Sequence, residues 1–124
     1  MLETLKIKLF GQQPAAKISD QLFNNIIKRE FGDLADIVRQ KLNQVTSDTT
    51  KGKNRISVAI IKLSNKDIKA IDQYISISHA DPRDVISQAE YPRCSKLDFI
   101  EMEERNMKPI YLDDWNEYSA WLNL

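Results

Sequence analysis

His79 is the only imidazole in the chain, and Asp81 and Asp84 follow it closely enough for one short segment to present all three side chains. Such a trio has the makings of a general base, or of a metal site in which carboxylates supply the remaining ligands. The same residues also have a structural use. A histidine in the last turn of a helix interacts favourably with the carbonyl end of its dipole, and Asp81 before Pro82 suits a helix cap. Because carboxylates would have to supply everything else, the structural use is preferred.

A second acidic group comprises Asp113 and Asp114, with Glu101, Glu103 and Glu104 upstream. Brought together, these side chains would suit a divalent ion or paired acid–base work, and with Asp81 they define one functional alternative, a metal-dependent hydrolase. Their spacing is unspecific. Acids at 113–114 favour a helix start, which predicts Asp114 as the cap of a terminal helix with Glu117 completing the box, and the Glu run beside Arg105 reads as a solvated face. No catalytic residue, metal ligand or cofactor is assigned.

Cys94 is the single cysteine, so no internal disulfide forms and a two-cysteine metal site within one chain is excluded. Arg93 and Lys96 beside it would lower its pKa if both pointed at it, but a lone cysteine of this kind is more often a small packing residue.

Lys51, Lys53, Arg55 and Lys62 form the basic cluster of a second alternative, a small nucleic-acid-associated protein. The overall charge gives this no help. Lysine plus arginine and aspartate plus glutamate number 18 each, so there is no strong net field towards nucleic acid or an anionic membrane. Gly52-Lys53 lacks the preceding glycine and following hydroxyl residue of a phosphate loop. A near-neutral charge also leaves room for self-association.

Both tryptophans fall in the last ten residues, where Tyr111, Trp115, Tyr118 and Trp121, with Leu122, follow helical spacing. This is the strongest constellation in the chain, and it serves either as a core-docking stripe or as a partner-binding surface edged by the tyrosine hydroxyls.

The elements that must position these residues are mostly helices. Leu2, Leu5 and Leu9 suit one helical face, while Leu5, Ile7 and Leu9 also alternate as in a strand, so residues 2–10 remain open between the two. Ser19 is a predicted N-cap, with Ile18 and Phe23 as its hydrophobic staple, and Gly32 ends the helix that follows. Asp33 is predicted to cap a second helix with Leu34, Ile37, Val38, Leu42 and Val45 buried. Residues 46–54 carry no apolar side chain and read as the longest exposed loop. Residues 55–63 fit both periodicities, with helix preferred. Ser64 to Asp67 resembles a capping box for a helix to 79, Asp81-Pro82 opens another to about 90, and 93–109 is either irregular or a short helix through 97–102.

These readings give a mainly α, compact multi-helix single domain over 1–124. It leaves room for a minor two-stranded element pairing 4–10 with 108–112 if the first segment is extended. No segment is long and apolar enough to span a bilayer, and a cytoplasmic, bacterial-type protein is expected. The leading functional expectation is a non-catalytic protein-binding module, of antidote or accessory type, acting on an unidentified protein partner.

Overall fold

Ser19 shows how the sequence starts its helices: its hydroxyl accepts from the Leu22 backbone N–H at 3.1 Å, and the chain turns helical at Asp20. A computed structural model describes residues 2–124. Among these residues the regular elements are all helical: α1 Leu2–Phe10, α2 Asp20–Phe31, α3 Ala35–Leu42, α4 Thr50–Ser64, α5 Ile68–Ala80, α6 Pro82–Glu90, α7 Phe99–Glu104 and α8 Lys108–Leu122, with short 3-10 turns at Gly32–Leu34 and Cys94–Lys96. The mainly α expectation holds. The conditional ribbon between 4–10 and 108–112 does not form, because both segments are helical and α1 packs on α8 instead. Among the described residues no helix is long and apolar enough to cross a membrane.

Contacts divide the chain into two compact units, Lys17–Ala89 and a second made of Met1–Ala16 with Glu90–Leu124. In the first, α2 packs on α3 and α4, and α5 packs on the same two helices, so the four close a ring. Ile26, Ile27, Val38, Val58, Ala59, Ile60, Ile61 and Ile71 fill it with no exposed surface. Helix α4 carries the densest share of this core, and its residues 56–61 are all buried. That explains the double periodicity of 55–63: a helix surrounded on most sides has no polar face to mark its period.

Several boundaries differ from expectation for identifiable reasons. The loop over 46–54 ends early, because Thr49 Oγ1 accepts from the Gly52 N–H at 2.9 Å and starts α4 at Thr50. Asn54, expected in the loop, is a buried α4 residue whose amide donates to the Ile18 carbonyl at 3.1 Å and to Asp20 Oδ1 at 2.8 Å. Asp33 makes no cap. The chain enters α3 through the 3-10 turn, which leaves Leu34 and Ile37 exposed and puts Ala35 inside with Val38, Leu42 and Val45. Ser64 is the last residue of α4, not a cap; Asn65 and Lys66 take positive φ, and Asp67 caps α5 through the Lys69 N–H. Asparagine tolerates the left-handed region, so the chain can end one helix and start the next within three residues.

In the second unit α8 begins at Lys108 with Pro109 in its first turn, six residues before the expected cap. Asp114 is therefore inside the helix. Segment 93–109 resolves into the 3-10 turn and α7, the latter started by a reciprocal capping box between Asp98 and Glu101.

Candidate functional site

Asp114 has no exposed side-chain surface, yet its carboxylate is well supplied with donors. Its Oδ1 accepts from the Arg93 backbone N–H and from Arg93 Nη1, both at 3.1 Å, and its Oδ2 accepts from the Cys94 N–H at 3.2 Å. The residue thus caps a 3-10 turn that lies 20 positions upstream, in place of its own helix. One helical turn further on, Glu117 takes the same Arg93 Nη1 at 2.6 Å. These two carboxylates, Glu117 first, hold the guanidinium more firmly protonated than usual. Arg93 is half-exposed, so the knot joins a buried anion to the surface.

Cys94 is buried beside this knot and accepts from the Gln13 amide at 3.4 Å. Burial pushes its thiol pKa up, the Asp114 carboxylate adds to that, and the Gln13 hydrogen bond only partly opposes it. Tyr111 is also shifted up, by burial and then by Cys94. A protonated, buried thiol is a poor nucleophile. Nearby, a depression of about 320 Å³ is lined by Pro92, Arg93, Lys96 and Glu117. The arrangement fixes the start of one turn against α8.

The other expected residues lie as follows. His79 donates from Nε2 to the Gln44 carbonyl at 2.8 Å, tying α5 to the end of α3. Asp81 accepts from the Arg83 N–H at the start of α6. Glu101 is in its capping box and pairs with Arg105, while Asp113, Glu103 and Glu104 are exposed. Among the described residues no three His, Cys, Asp or Glu side chains gather as a metal-binding group. Lys51, Arg55 and Lys62 share one side of α4 by helical spacing, and Lys53 lies on the other, its Nζ reaching the Asn43 carbonyl at 3.5 Å. Arg55 and Lys62 are each engaged in interactions of their own.

In the terminal stripe Tyr118 is buried and stacks on Trp121 with ring centroids 5.8 Å apart. Tyr111, Trp115 and Trp121 are half-buried. The apolar side chains most open to water lie outside that stripe: Phe99 is 85% exposed, Leu124 81%, Phe10 68%, Ile100 66%, Leu9 65%, Leu2 57%, and Leu5 and Ile37 48% each. All of these except Ile37 belong to the second unit. Sequence reasoning missed Phe99 and Ile100, although Asp98 and Glu101 have capping-box spacing and would have placed them in a short, solvated first turn.

Comparison of the chain with protein-family models, with curated proteins and with solved structures finds no match.

Proposed function

We propose that the protein is a non-catalytic protein-binding module, of the accessory or antidote type, that acts by covering a partner's surface. The observation carrying this reading is the concentration of exposed apolar side chains on the second unit: Leu2, Leu5, Leu9, Phe10, Phe99 and Ile100. Isolated exposed leucines are ordinary, but several large apolar side chains open to water on one small unit are the raw material of an interface. Unsatisfied apolar area of this kind costs solubility unless something covers it.

This reading moves the expected contact residues. Tyr118 serves the core, and the working side chains become those of α1 and α7. The nucleic-acid alternative has less support, because Lys53 is separated from Lys51, Arg55 and Lys62 around α4.

Affinity capture followed by reconstitution from purified components tests the proposal. A stoichiometric protein partner is expected for the wild type, with recovery reduced at least tenfold for a variant combining Leu5→Ser, Phe99→Ser and Ile100→Ser. A partner retained fully by that variant, or no stoichiometric partner for the wild type, contradicts it.

A further inference from the structure

Helix α1 turns its largest apolar face away from its own fold. Ile7 is its one buried residue among those described, at 1% exposure, and anchors the helix in the unit containing α8. Leu2, Leu5 and Leu9, spaced by three and four residues, line the opposite side and are each about half or more exposed. An amphipathic helix that merely closed a core would show the reverse pattern.

The spacing has a specific geometry. Leu2, Leu5 and Leu9 occupy successive a, d and a positions of a heptad, the seam by which one helix packs along another. In that register Ile7 falls at f, pointing away from the seam, which is where a residue must lie if it fastens the helix to its own protein. Lys6 and Lys8 fall at e and g, the two positions that flank a seam and face the partner's flanks. Both flanks are therefore basic. Paired antiparallel, a second copy would set Lys6 against Lys6 and Lys8 against Lys8, whereas carboxylates at the facing positions would pair with both.

Resting on the proposed binding function, we infer that the Leu2-Leu5-Leu9 face of α1 docks a partner helix whose apolar seam is flanked by acidic residues. The leucines supply the buried area, and Lys6 and Lys8 select the charge of the partner. Recognition of an amphipathic helix through anchors at i, i+3 and i+7 is a recurring mode of protein association.

The probe is a synthetic helical peptide with leucine at its a and d positions and glutamate at e and g, titrated into the ¹⁵N-labelled full chain and followed by NMR. Saturable shifts confined to the amides of 2–10 are expected, with an apparent Kd at least tenfold weaker for the matching peptide carrying lysine at e and g. Leu5→Ser should remove the shifts while leaving the rest of the spectrum in place, and Lys6→Glu with Lys8→Glu should reverse the peptide preference. Equal binding of both peptides, no shifts in α1, or concentration-dependent α1 shifts without peptide, which would indicate a second copy, each overturn the inference. If a captured partner is lost on Phe99→Ser and Ile100→Ser but not on Leu5→Ser, this inference fails while the binding function stands.

Discussion

Arg93 and Asp114 meet at 3.1 Å through the guanidinium, and at the same distance through the Arg93 backbone N–H, with the carboxylate fully buried and the guanidinium half-exposed. The two contacts are unequal in what they contribute. A buried carboxylate must keep its donors, whereas a solvated cation has water as a substitute.

Asp114→Ala leaves the part-buried Arg93 N–H and the buried Cys94 N–H without their acceptor. A destabilisation of about 3–5 kcal/mol is expected, read as a lowered urea midpoint. Arg93→Ala keeps both backbone donors on the carboxylate and should cost no more than about 1 kcal/mol. Equal effects of the two substitutions would count against a backbone-capping role for Asp114.

Stability should fall in alkali through Cys94. Burial raises its pKa in the folded protein above the ordinary 9.0, so the native state holds the thiol proton more tightly than the unfolded chain. That contribution is intact below the ordinary value and is lost as pH rises through the folded one. Tyr111, raised from 10.0, adds to the loss at higher pH. Urea midpoints under reducing conditions should drop between about pH 8 and 11, and Cys94→Ala should flatten the earlier part of the drop.

In the four-helix ring, Asn54 is the polar residue that fixes where α4 sits against the entry to α2. Asn54→Ala orphans the buried Ile18 carbonyl contact and should destabilise by about 1–3 kcal/mol. Ile60→Ala, which opens a cavity in the same ring, should cost about 2–5 kcal/mol. A stability change within about 0.5 kcal/mol for Asn54→Ala would show that its two hydrogen bonds are replaced by water.

The legible parts of this fold are those where local chemistry points one way. Ser19, Gly32 and the Asp81-Pro82 pair mark helix ends by their own side chains or backbone freedom, and the structure uses them as such. Asp114 looked like a cap and is one, but for a turn distant in sequence, and no local pattern distinguishes the two uses. Ile7 and the three α1 leucines illustrate the same limit. Periodicity shows that a helix has two faces, but only tertiary contacts decide which face the protein keeps for itself. Here the larger apolar face is left outside.

The account stands most directly on one measurement, hydrogen–deuterium exchange of the full chain with and without the partner recovered by capture. New protection is expected over 2–10 and around Phe99 and Ile100, with exchange in α4 and α5 unchanged. Protection restricted to the basic side of α4, or absent from both α1 and α7, would contradict it.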